Sequence, residues 1–431
     1  MPEMMALLWL IVQIVIGINL IMPLLVYTLA LLRRSSSRST ILNPCFNFAS
    51  EADFAVIVTA YQQTTHLDEV VASLLKMNYS NYLIYIVADN CEVSSLFYSS
   101  DKVVLLRPPN ILQSNTKSHL YAIQHFRREH KYLTIIDSDN LVDPQYLHNM
   151  HVAFSEGYLA VQGLRAAKNL DSNFACLDAA RDHYYHYYDG RLLFQAGSSA
   201  TLAGSGMSFE TSLYKQFLSS RDIQGAGFDK VLQYTIVSKG LRIAWSETAI
   251  VYDQKTSESG QLVKQRARWI NTWFRYFGFG FRLVFKGLVN ANGNQLLFGA
   301  TLLRPPLFIF LLLSLIFAIA DIWIQPAAVV LWVFGFGCFI TAFLFALKNT
   351  HADRRIYRAL INIPGFVFHQ LVSLSKVRKA NEYSVSTLHT STPGRKGNHT
   401  AEKPYQNYTV RSQVKTREHK IVKDESNTSH R

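Results

Sequence analysis

The chain has 431 residues and a formal net charge of +13, with 49% hydrophobic and only 17% charged residues. That length admits one large catalytic domain or two ordinary ones. The excess positive charge gathers in the C-terminal tail and beside apolar segments, so a membrane-surface role accounts for it and no nucleic-acid partner is expected. Cys45, Cys91, Cys176 and Cys338 lie far apart without a CxxC pair, which suggests neither a disulfide framework nor a zinc site.

Residues 4–32 carry no charge and exceed the about 20 apolar residues that cross a bilayer. The spacing predicts a transmembrane helix over 1–33, kinked at Pro23. Glu3 precedes the run and Arg33, Arg34 and Arg38 follow it, the reverse of a cleaved signal peptide. The positive-inside rule then sets the next domain in the cytoplasm, which implies a multi-pass protein of the inner (plasma) membrane.

A polar linker over 34–51 leads into strand-like and helix-like stretches that alternate from 52 to about 250. Such alternation implies βαβ units and a mostly parallel sheet, an α/β domain over 52–271. In LDEVVASLLKM, Leu67, Val70, Val71, Leu74 and Leu75 recur at helical spacing and predict a stripe packed on that sheet. In YLTIIDSDNLVDP, Leu133, Ile135 and Ile136 read as a buried strand with Asp137 and Asp139 at its carboxyl end. Open α/β sheets bind ligands there, and two acids at i and i+2 suit Mg²⁺ or Mn²⁺ shared with a phosphate. The stretch by itself fits a polar turn capping the next helix at least as well.

Further on, WFRYFGFGFRLVFKGLV suits an interfacial helix over 272–295, and two more spans follow at 296–320 and 326–347. Asp321 and Pro326 mark a short outer turn between them. The run 356–375 is short, broken by Pro364 and Gly365 and flanked by basic residues, which predicts an interfacial or re-entrant helix. Polar composition over 381–431 predicts a disordered basic tail, and its sequons at Asn398, Asn407 and Asn427 face the cytoplasm on this topology. His183 and His186 in DHYYHYYDGR lack a third metal ligand and read as part of a partly buried helix.

Read in order, VTAYQQ, VADN, DSDN, GSGM, FDKVLQ and QRARW, followed by a membrane block, resemble the membrane-embedded family 2 glycosyltransferases. These include cellulose, hyaluronan and poly-N-acetylglucosamine synthases and ceramide glucosyltransferases. The resemblance implies a GT-A fold, Rossmann-like and nucleotide-sugar-binding, combined with transmembrane α-helices. It implies that Thr59 to Tyr61 form the nucleoside-binding turn, that Asp89 recognises uracil or ribose, and that Lys117 lies near the donor. Asp139 is then the ligand of a divalent cation, Mg²⁺ or Mn²⁺, with Asp137 contacting that cation's shell or the nucleotide. Gly204 and Gly206 fall beside the acceptor, and Asp229 is the general base of an inverting transfer. Phe228 stands where the family carries Glu, a departure that removes a neighbouring acid. Arg268 would hold the diphosphate, with Gln265 and Trp269 shaping the donor and acceptor boundary.

Each feature has a plainer reading in isolation: an Asx turn at Asp89, a surface lysine, a tight loop, a helix N-terminal acid at Asp229, an interface anchor at QRARW. Their order favours the enzyme. The expected partners are a nucleoside diphosphate sugar, UDP-linked in the simplest case, a polysaccharide or lipid acceptor, and membrane lipids. Three spans are few for a polymer channel, so a polymer synthase would need a partner subunit or a homo-oligomer. The alternative from a different class is a catalytically silent subunit that binds nucleotide-sugar or lipid.

Overall fold

The computed structural model describes residues 3–36, 50–94, 96–220 and 226–377. The predicted tail and most of the linker lie outside the described residues.

Helix α1 (Glu3–Ser36) is followed by β1 (Phe54–Tyr61), α2 (Leu67–Leu75), β2 (Tyr82–Asp89), β3 (Val103–Leu106), α3 (Asn115–Gln124) and β4 (Tyr132–Asp137). Next come β5 (Leu141–Val142), α4 (Tyr146–Ser155), β6 (Ala160–Ala167) and α5 (Asn173–Tyr185). A π-helical segment, His186–Leu192, joins α5 to the short α6 (Leu193–Gln195). The domain continues with β7 (Met207–Glu210), α7 (Thr211–Ser220), α8 (Phe228–Ser238), β8 (Ile243–Asp253) and α9 (Ser259–Tyr276). The last helices are α10 (Gly278–Val289), α11 (Gly293–Leu303), α12 (Leu307–Ile324), α13 (Pro326–Asn349), α14 (Arg354–Ala359) and α15 (Ile363–Ser375).

The strands form one eight-stranded sheet in the order β3-β2-β1-β4-β7-β6-β8-β5. The half built from β1 to β4 is parallel, as short apolar strands joined by helices require. Beyond β4 the sheet departs from the parallel expectation in part: β6 and β8 still run parallel to each other. There β7 runs antiparallel to both β4 and β6, and β5 antiparallel to β8, so the sheet is mixed. The cause is the long excursion through α5 and the π segment, after which the Gly204–Gly206 turn brings the chain back alongside β4 in the opposite sense.

Phe54, Val56, Ile57, Val58, Ile84, Ile86, Leu133, Ile135 and Ile136 are buried along the central strands. On α2 the residues Leu67, Val70, Val71 and Leu74 are buried against the sheet, whereas Leu75, on the same predicted stripe, is exposed. It is the helix's last residue, where the apolar face has turned away from the sheet.

Among the described residues, three helices are long and apolar enough to cross a membrane: Glu3–Arg33, Leu307–Ile324 and Pro326–Asn349. The second differs from the expected 296–320. Pro305 and Pro306 cannot donate backbone hydrogen bonds, so the apolar run divides into α11 and α12. α11 pairs with α10, where Gly280 and Gly299 bring the two backbones close together. Asp321, expected in the outer turn, instead lies fully buried in the last turn of α12. Its carboxylate accepts from Trp9 Nε1 (3.0 Å), Gln13 Nε2 (2.9 Å) and Trp332 Nε1 (2.8 Å), joining α1, α12 and α13.

α10 exposes Phe281, Phe285, Leu288 and Val289 and buries Leu283. α15, at 13 residues, is too short to span and packs along α9 and α5. α9 itself runs unbroken past residue 271, so no structural break marks the expected domain edge.

Candidate active site

The parallel half places its chain ends side by side. Thr59 pairs with Asp137 across β1 and β4, and Tyr61 pairs with Asp89 across β1 and β2. Connections from β1 and β4 leave in opposite directions here, which makes this the switch-point crevice of the sheet. Asp137 and Asp139 are half-buried at its floor.

What holds this loop is the Gly-Ser-Gly turn. The buried Ser205 hydroxyl accepts from the Asp137 backbone N–H at 3.1 Å, and the Gly206 N–H donates to Ile135 at 2.9 Å. The Asn140 amide is oriented by its surroundings: its nitrogen donates to Asp139 Oδ1 (2.9 Å) and Asp253 Oδ1 (3.3 Å), and its oxygen accepts from Ser205 (2.8 Å). Gly206 has φ 65°, and a Cβ there would stand 2.9 Å from Val251, so the position admits no side chain without strain. Gly204 has open space on its Cβ side.

Asp253, at the end of β8, is a site residue that sequence reasoning missed. Arg165 on β6 pairs with it at 2.8 Å and also donates to the Ala203 carbonyl that opens the Gly-Ser-Gly turn. Lys255 pairs with it at 2.7 Å and continues to Asp182 on α5, which binds Arg181. These groups are largely withdrawn from solvent, yet Arg165 and Lys255 hold the Asp253 carboxyl below the usual carboxylate range, and Arg181 and Lys255 do the same for Asp182. The Lys255 ammonium is raised by Asp182 and Asp253 against its own desolvation. The stretch set aside in the sequence as an aromatic helix therefore contributes an acid to this network. His183 from it is buried and His186 half-buried; desolvation pushes them down to about 4 and about 3, and His183 meets the Thr350 hydroxyl at 2.8 Å.

Asp89 is buried, and its two oxygens accept from the backbone N–H groups of Leu112 (2.9 Å) and Gln113 (2.7 Å). The carboxylate thus pins the loop before α3. Lys117 is exposed on the first turn of α3.

Asp229 sits in the first turn of α8, its side chain 18% exposed and 3.4 Å from Lys230. The preceding Gly227 packs on Thr272 and Tyr276 of α9, one and two turns beyond Arg268, so α8 meets the helix face that Arg268 begins. Phe228 turns the other way, buried edge-on to His119 at 5.4 Å. On α9, Gln265 accepts a 3.5 Å contact from the Thr256 hydroxyl, Arg268 is half-buried and Trp269 is 40% exposed.

A Rossmann-like parallel half, acids at the end of its fourth strand and a mixed outer half define the GT-A class of nucleotide-sugar transferases. Residues 52–272 match the sequence family described as Glycosyltransferase like family 2, and the chain belongs to that family. Among solved structures it is similar to the mannosyltransferase PcManGT from Pyrobaculum calidifontis, in complex with GDP-Man and Mn²⁺. The TM-score is 0.50 at 12% identity, covering 85% of this chain and 99% of that one. At that identity the likeness is one of fold. S. aureus TarS, in complex with UDP-GlcNAc, aligns with TM-score 0.37 and 14% identity over 77% of this chain and 90% of the other. A search of curated proteins gave no match. The protein is thus a family 2 glycosyltransferase, with three candidate membrane helices among the described residues.

Proposed function

We propose that this enzyme transfers a sugar, with inversion, from a nucleoside diphosphate sugar to a lipid acceptor at the cytoplasmic face of the inner membrane. The observation that carries the reading is the pair Asp137 and Asp139, braced by Asn140 and Ser205 at the switch point of a family 2 fold. Thr59, Tyr61 and the loop pinned by Asp89 form the nucleoside end, and a UDP-sugar is the donor class expected there. Lys117 and Arg268 face the diphosphate, and the guanidinium suits it with planar paired donors. Gly204, Gly206, Gln265 and Trp269 shape the acceptor side.

Asp229 takes the proton of the acceptor hydroxyl as that oxygen attacks the anomeric carbon. The carbon–oxygen bond to the diphosphate breaks on the opposite face, and its electron pair leaves with the nucleoside diphosphate. Asp139 and Asp137 fit a hard divalent cation such as Mg²⁺ or Mn²⁺, and no group of three metal-ligating side chains occurs among the described residues. Two carboxylates completed by substrate phosphates is a common Mg²⁺ arrangement, and the bound cation would neutralise charge on the leaving group.

A lipid acceptor is favoured over a growing polymer by the membrane block. Only 22% of each span's apolar window is buried within the chain, and Leu20, Phe310, Trp332 and Phe339 fill the space where the helices meet. A polymer would need a passage supplied by a partner subunit or a homo-oligomer. Incubating lipid-reconstituted protein with labelled donor sugars and resolving the products tests this: one glycolipid band supports the reading, and an oligosaccharide ladder overturns it. A silent subunit is disfavoured because Asp137, Asp139, Asp229 and Arg268 are all retained.

A further inference from the structure

One cluster beside the site has no part in the transfer steps above. Asp178 on α5 is 2% exposed and pairs with Arg181 on its own helix at 3.2 Å. It also pairs with Arg266 on α9, itself 3% exposed. Arg266 lies inside QRARW at one of the motif's variable positions. Both guanidinium carbons then stand 4.2 Å from the centre of the Trp269 indole ring. Arg181 is further fixed by Asp182, through which the cluster continues to Lys255, Asp253 and the Asn140 contact with Asp139.

Packing alone is a poor account of this arrangement. A buried ion pair gives up hydration that a pair of well-packed apolar side chains would not, and Arg266 leaves Nε and Nη1 without a hydrogen-bond partner. What the charges achieve is geometric. An indole with 40% of its surface open would otherwise be free to change rotamer, whereas two cations against its ring hold it in one. Because Asp178 binds both arginines, it sets their common position.

We propose that Asp178 is a positioning residue for glycosyl transfer, which acts through Arg181 and Arg266 to hold Trp269 as a fixed apolar platform for the acceptor end of the reaction. The inference rests on the transferase reading and adds to it a residue remote from every family motif in sequence. It explains why the indole can stay accessible to a ring without losing its orientation. Asp178 acts on catalysis only while Trp269 is present, and this dependence separates positioning from bulk stability.

The test uses the full chain in lipid nanodiscs. Trp269 fluorescence is taken as the difference between wild type and Trp269→Phe, and its quenching by acrylamide is compared with the same difference in an Asp178→Asn background. Nucleoside diphosphate release with acceptor lipid is measured for all four proteins. The expected result is stronger quenching of Trp269 in Asp178→Asn, with transfer reduced on the order of tenfold to a hundredfold by misplacement of the platform. In the Trp269→Phe background, Asp178→Asn should then change transfer by no more than about twofold, the range in which independent effects are not distinguished. Should Asp178→Asn fail to fold, Arg181→Lys keeps a cation for Asp178 but removes the planar contact, and the same pair of readings applies. Unchanged quenching, or full multiplication of the two kinetic effects, overturns the proposal. No release by wild type would instead overturn the transferase reading, whereas normal release with unchanged quenching sinks this inference alone.

Discussion

Restoring the acid that the family carries before its general base, by Phe228→Glu, should damage this protein. Phe228 is 8% exposed and lies edge-on to His119, which is itself 1% exposed. Losing the ring gives up about 2–3 kcal/mol of burial. The new carboxyl finds no ready cation: His119 meets the Tyr214 hydroxyl through Nδ1 at 2.8 Å, and burial holds it down to about 3, hence neutral at pH 7. Keeping a buried Glu protonated at pH 7 costs roughly 1.36 kcal/mol for each unit above its ordinary value near 4.3, about 3–4 kcal/mol. The sum is about 5–7 kcal/mol, a large part of a typical domain's stability. At about 2–4 °C per kcal/mol for a domain of this size, Tm should fall by more than about 10 °C in nanodiscs. Phe228→Leu, which keeps an apolar group, should cost only about 1–2 kcal/mol. A Phe228→Glu protein that melts like wild type and transfers sugar as fast or faster would refute the claim that this position is a core contact.

Acid should weaken the fold well above the carboxylate range. His119, His183 and His186 have folded values depressed to about 3, 4 and 3, so their contribution is present above about 6.5 and is lost as pH falls below it. At pH 5 each costs about 2 kcal/mol, and His119→Phe should flatten the Tm–pH curve between pH 6.5 and 5 by one residue's share. Asp253→Leu strands Arg165, leaves Lys255 with Asp182 alone, and should cost about 3–5 kcal/mol with loss of transfer, read by unfolding and product assays. Asp321→Leu removes the acceptor of three N–H groups and should lower resistance to denaturing detergent by about 1–3 kcal/mol per stranded donor, whereas Asp321→Asn retains part of it.

The parallel core was legible because β1, α2 and β4 each carry a local period, and the DSDN acids follow the strand that delivers them. β7 was not, since its antiparallel direction depends on where the chain returns after α5 rather than on anything in Met207–Glu210. The network of Asp253, Lys255 and Asp182 was equally hidden. Asp182 lies about 70 residues before the other two, and all three look like ordinary polar positions until β8 and α5 are packed. The break at Pro305–Pro306 lies inside a run that is apolar on both sides, so the apolar pattern alone does not divide α11 from α12. Asp89 shows a different limit: sequence placed it at the end of β2, while its hold on the Leu112 and Gln113 backbone arises from tertiary contact.

The central claim is metal-dependent transfer with Asp229 as base. Its most direct test is nucleoside diphosphate release from purified, lipid-reconstituted protein, over UDP- and GDP-sugars with Mg²⁺, Mn²⁺ or chelator, comparing wild type with Asp229→Asn. The account predicts release from one donor that needs the metal and falls by about 10²-fold or more in a variant that stays folded. Equal release by Asp229→Asn, or none by folded wild type given any donor and lipid acceptors, would contradict it.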